Sequence, residues 1–121
     1  MKKKNYKGKC SKRTVDKCVG VCKSFDILQS RACDMLAEDE DIIEFRTNVP
    51  MDGLDYTSDI VAAREDGSLI VYECCRQHIL KRPTMAKLLE QSRQYWLNHN
   101  VKEKDWRLVV DAEKSTDKEK Q

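Results

Sequence analysis

No run of 18 uninterrupted apolar residues occurs in these 121 residues, so nothing in the chain has the length of a membrane-crossing helix. Also lacking is an apolar stretch behind the basic opening Met1-Lys2-Lys3-Lys4-Asn5, which a signal peptide requires. Together these absences lead us to expect a cytoplasmic protein with no membrane association. Without export, the six cysteines read as reduced thiols or metal ligands, and the adjacency of Cys74 and Cys75 fits a disulfide framework poorly. No CxxC knuckle is present. Cys18 and Cys22 could share a helical face, but Cys10, Cys18, Cys22 and Cys33 lack the tight paired spacing of a structural zinc site. Only two histidines occur, and His78 and His99 read as surface residues rather than ligands or bases.

What is present is ordinary for one globular domain: 40% hydrophobic and 36% charged residues, enough for a single modest core. The net charge of +2 conceals a strong asymmetry. Residues 1–23 carry a net +8, residues 24–75 a net −10, residues 76–98 a net +4, and residues 99–121 balance. A basic segment beside an acidic middle suits a phosphate-binding surface around a carboxylate cluster, although a basic terminus is as often a solvated tail. The chain is therefore divided into a basic extension (1–23), a folded domain (24–113) and a charged tail (114–121).

Within the domain, Ser24 is a candidate N-cap, and Leu28, Ala32, Met35 and Leu36 recur at helical spacing up to the acidic run 38–41. Residues 42–46 read as a short strand and 48–55 as a loop containing Pro50 and Gly53. Residues 56–64 and 68–75 read as a hairpin about Asp66-Gly67, the strongest short hairpin signal. Pro83 opens a second helix with Met85, Leu88, Leu89, Ser92 and Trp96 on one stripe, and residues 106–111 form a last strand. The expected class is α/β, in the order αβββαβ, with a mixed four-stranded sheet flanked by helices. Of Tyr95 and Trp96, at least one is expected in the core.

Asp59 and Glu73 each interrupt an apolar strand of the hairpin, where an uncompensated acid is costly. Convergent carboxylates of this kind suit a divalent cation, which prefers hard oxygen ligands. Alternation puts Glu73 and Cys75 on one face and Cys74 on the other.

The element order resembles the PD-(D/E)xK nuclease superfamily, and more closely its TnsA-type transposase endonuclease branch. The segments that carry the likeness are Ile42-Ile43-Glu44-Phe45 with Asn48-Val49-Pro50, Tyr56-Thr57-Ser58-Asp59, and Val71-Tyr72-Glu73-Cys74-Cys75. In the family they read as an apolar pair, Phe and Gln-Pro; Tyr-Thr-Pro-Asp; and an apolar residue with Glu-Val-Lys or Gln-x-Lys.

The resemblance implies a restriction-endonuclease-like fold over roughly residues 24–113, acting on DNA with Mg²⁺ or Mn²⁺ held by Asp59 and Glu73, beside a transposase or other mobile-element partner. Cys75 stands where the family has the lysine that supplies positive charge to the reaction. Arg76, Lys81 or Lys87 would have to provide that charge instead. At the helix-one position where the family usually has Glu, ungapped counting gives Gln29, with Asp26 and Asp34 nearby. DNA contacts are expected from Lys2, Lys3, Lys4, Lys7, Lys9, Lys12 and Arg13 of the extension and from Lys81, Arg82 and Lys87. The alternative is a catalytically impaired DNA-binding pseudo-nuclease or a protein-interaction module.

Overall fold

The computed structural model describes residues 10–111. Its elements are β1 (Ser11–Arg13), β2 (Cys22–Ser24), α1 (Ile27–Glu38), β3 (Ile42–Pro50), β4 (Thr57–Arg64), β5 (Leu69–Cys74), α2 (Gln77–Leu80), α3 (Pro83–Leu97) and β6 (Trp106–Val109), with a 3₁₀ turn at Glu103–Asp105 before the last strand. The architecture is mixed α/β. A four-stranded sheet in the order β3-β4-β5-β6 is antiparallel except for the parallel β5–β6 pair, and β1 and β2 form a separate two-stranded hairpin. The β4–β5 hairpin lies at the sheet's centre, paired from Ile60↔Tyr72 to Ala63↔Leu69. Gly67 at its turn has φ 90°, the left-handed conformation that favours glycine, and Asp66 Oδ1 accepts from Ser68 N at 2.9 Å. No described helix is long and apolar enough to cross a membrane.

Helices α1 and α3 cover opposite faces of the sheet. Ala32, Cys33 and Leu36 of α1 pack with Phe45, Ile60, Ala62, Ile70 and Cys74, and Trp96 of α3 packs with Met51, Tyr56, Val71 and Val101. Each fully buried large side chain of this kind contributes about 1.5–3 kcal/mol relative to exposure. Pro83 suits the first turn of α3, where no amide hydrogen is needed, and the buried stripe Met85, Leu89, Ser92, Trp96 follows helical periodicity.

Three local expectations differ from what is found. The cap of α1 is Asp26, whose Oδ1 accepts from Leu28 N at 2.6 Å, while Ser24 is buried in β2. Residues 48–50 continue β3, with Val49↔Ser58 and Pro50↔Thr57 paired; Pro50 is admissible because β3 ends the sheet. Most importantly, the packed structure begins well before residue 24. Val15 and Cys22 belong to the α1-side core, and residues 17–19 run along the outer side of β3, where Val19 N donates to Phe45 O and Phe45 N donates to Lys17 O, each at 2.9 Å. The extension thus contributes structure to the domain from residue 10 onward.

The 3₁₀ turn is tied to the sheet by Arg64, which donates Nη1 to Asp105 Oδ2 at 3.2 Å and Nη2 to Oδ1 at 2.9 Å. Asp105 is buried, and the hydrogen-bonded guanidinium holds its carboxyl below the ordinary range. A depressed folded-state value stabilises the fold fully above the unfolded carboxyl value, about 3.9, and the contribution is lost as pH falls below it. Arg64→Ala should therefore cost about 2 kcal/mol at neutral pH by leaving a buried acceptor unpaired. Urea unfolding should show the deficit at pH 7 and a shrinking one below pH about 4; a pH-independent deficit would assign it to lost packing.

Candidate functional site

The β4–β5 ladder makes its last Cα pair at Ile60↔Tyr72, so one step further Asp59 stands opposite Glu73. Here each strand's amide bonds the other strand's acid. Asp59 N donates to Glu73 Oε1 at 3.2 Å, and Cys74 N donates to Asp59 Oδ2 at 2.7 Å. Both acids are fully buried. By strand alternation Asp59 shares a face with Val61, and Glu73 shares one with Val71 and Cys75, the face that α3 covers.

From α3, Ser92 Oγ donates to Glu73 Oε2 at 2.6 Å and accepts from Trp106 Nε1 at 3.0 Å. Trp96 Nε1 donates to Ser58 Oγ at 2.8 Å beside Asp59. The acids are thus members of a buried hydrogen-bonded network, the form in which a buried carboxylate is tolerated. Ser92 and Trp106 were not among the candidate residues. The available signal was Ser92 itself, a polar residue within the apolar stripe of α3.

Gln29 is brought to the pair, but its side chain serves the backbone. Oε1 accepts from Phe25 N at 3.0 Å, and Nε2 donates to Asp59 O at 3.0 Å and Asn48 Oδ1 at 3.1 Å. Fully buried with both amide hydrogens committed, it positions Asp59 rather than facing the carboxylates. Asn48, which shares this clamp, has φ 55°, and its Nδ2 donates to Lys23 O at 2.9 Å.

Of the cations expected at Cys75's side, Arg76 lines a small pocket with Cys75, Asp26 and Met85. Its Nε pairs with Asp26 Oδ2 at 3.0 Å, and with Tyr72 it also lines the groove beside α1. Lys81, Arg82 and Lys87 are exposed at the α2–α3 turn and on the outside of α3. Asp34 is exposed and pairs with Arg13 Nη1 at 2.9 Å. Cys75 is buried with Met85 and Leu89. Of the extension's cations, Lys12 is exposed, whereas Arg13 also donates to Ser30 Oγ at 2.8 Å; Lys2, Lys3, Lys4, Lys7 and Lys9 lie outside the described residues.

Cys22, Cys33 and Cys74 gather in the α1-side core with Cys18 at its margin; Cys10 is not part of that cluster. Burial, then the neighbouring Cys22 thiol, pushes Cys18 up to about 11. The same causes raise Cys33. Cys18 and Cys33 are therefore protonated and weakly nucleophilic at neutral pH.

Among the described residues no group of three or more His, Cys, Asp and Glu side chains could hold a metal ion. Asp59 and Glu73 offer the hard oxygens that Mg²⁺ and Mn²⁺ prefer, and a carboxylate has about four lone-pair sites to share between donors and a cation. They fit such an ion in donor type and would supply two of its ligands. Neither a comparison with protein-family models nor one with curated proteins finds a match to this chain.

Proposed function

We propose that this chain is a metal-dependent DNA endonuclease-like protein of the TnsA type, with a restriction-endonuclease-like αβββαβ core, acting in transposition or other mobile-element DNA processing. The observation that carries the reading is the meeting of Asp59 and Glu73 on one face at the open end of the β4–β5 ladder. Strand and helix order supports it. So does the residue pattern of Tyr56-Thr57-Ser58-Asp59 and Val71-Tyr72-Glu73.

In this reading Asp59 and Glu73 hold Mg²⁺ or Mn²⁺, which when bound supplies Lewis-acid activation of a phosphodiester and its attacking water. Gln29 fixes the Asp59 backbone, and Ser92 orients the Glu73 carboxylate, a supporting shell of the kind that sets ligand geometry at metal sites.

A second reading, a DNA-binding pseudo-nuclease or partner-binding module, is favoured by one specific observation. Cys75 occupies the lysine position inside an apolar cluster with Met85 and Leu89.

Metal binding is tested first. Mn²⁺ at about a hundred times its dissociation constant should stabilise the protein by about 2.7 kcal/mol, read as a rise in melting temperature that Asp59→Asn abolishes. An equal rise in both proteins, or none in either, would remove the metal site.

A further inference from the structure

We propose that the outer face of the β1–β2 hairpin, continued by Arg46 of β3, is the surface on which the phosphodiester backbone of duplex DNA docks. This rests on the DNA-directed reading above and names a surface for it. Lys12 and Lys23 are directly opposed across the β1–β2 pair, so their side chains leave the same face, and both are exposed while Cys22 and Ser24 turn inward. Like charges facing each other across a ladder are destabilising unless an anion lies between them.

Lys23 is fastened to the main sheet, its N donating to Thr47 Oγ1 at 3.4 Å and its O accepting from Asn48 Nδ2 at 2.9 Å. That attachment brings it to an open groove of about 540 Å³ shared with Arg46, Thr47, Val19 and Val21. Arg46 is exposed. Val19 and Val21 are 41% and 54% exposed, giving the groove an apolar wall beside its cations.

The neighbouring basic residues are otherwise engaged. Arg13 is bound to Asp34 and Ser30, and Lys17 Nζ donates to Asp39 O at 2.7 Å. Among the described residues no ion pair with a carboxylate involves Lys12, Lys23 or Arg46. Three exposed cations on this surface match a polyanion with regularly spaced charges, and phosphate contacts of this kind position a duplex without reading its sequence.

The test is fluorescence anisotropy of a labelled duplex with the full chain, between about 50 and 200 mM salt. The triple variant Lys12→Gln, Lys23→Gln, Arg46→Gln is compared with the charge-matched Lys102→Gln, Lys104→Gln, Arg107→Gln at exposed positions, and melting temperature confirms that both are folded. The first variant should flatten the plot of log affinity against log salt by about 0.9 per lost contact, and weaken binding at low salt about tenfold or more. The second should keep most of the slope. If the first variant binds with unchanged slope and affinity, the surface is wrong and the DNA-directed reading stands. If the unmodified protein binds no duplex while binding vesicles of anionic lipid, both fall.

Discussion

Cys75→Lys is expected to raise Mn²⁺-dependent nicking of supercoiled plasmid by about a hundredfold, the scale of a single well-aimed charge-stabilising donor, while lowering the melting temperature. Cys75 follows Glu73 by two residues and leaves the strand on the same face, so an ammonium there sits beside the acid pair. The stability loss comes from its surroundings. Cys75 is buried with Met85 and Leu89, and a lysine must be desolvated among them, with pairing to Glu73 offsetting only part of the cost. A net loss of about 2 kcal/mol corresponds to roughly 10 °C for a domain of this size. Activity must disappear in the Cys75→Lys, Asp59→Asn double variant. A folded Cys75→Lys protein that nicks no more than the unmodified chain would favour the non-cutting reading, because the absent charge would then not be the only defect.

Glu73→Ala should destabilise the fold by about 3 kcal/mol, and Glu73→Gln by about 1. Alanine removes the acceptor of both Asp59 N and Ser92 Oγ, strands two buried donors and leaves a space under α3. Glutamine can keep its carbonyl on Asp59 N and turn its amide toward Ser92, whose hydroxyl then accepts. Urea unfolding of the two variants separates them. An alanine variant as stable as the parent would mean that the cost of burying the carboxylate cancels everything its hydrogen bonds contribute. Glu73 would then be maintained without any net contribution to stability, as expected of a functional acid.

Much of the central architecture could be read from local pattern. Asp66-Gly67 between two apolar runs marks the β4–β5 hairpin, and the stripe from Met85 to Trp96 marks the buried side of α3. The same hairpin suggests that Asp59 and Glu73 converge, and its register, Ile60↔Tyr72 to Ala63↔Leu69, sets them opposite each other.

What was not legible depends on contacts distant in sequence. The strands Ser11–Arg13 and Cys22–Ser24 are three residues each, too short for alternation to register. Val15 enters the core only because residues 17–19 meet Phe45. Asn48 and Pro50 carry turn propensity, yet pairing with Thr57 and Ser58 overrides it. Enclosure of the acids could not be inferred either, because it depends on how α3 crosses the sheet and brings Ser92 to Glu73. The partner of Arg76 was not legible either, because Asp26, whose Oδ2 accepts from its Nε, stands fifty residues earlier.

The seam between residues 17–19 and β3 also bears on the protein's behaviour in concentrated solution. Phe45 offers its amide and carbonyl outward, and the backbone of Lys17 and Val19 consumes both, which closes part of one border of the sheet to intermolecular strand addition. A chain shortened to begin after residue 20 would bare that border together with the Ile42 and Phe45 side of the core. Self-association would then compete with refolding. Solubility after such a truncation reports the integrity of the sheet, so ligand affinities measured on it would mix two effects, whereas single substitutions at Lys12 and Lys23 leave the seam closed.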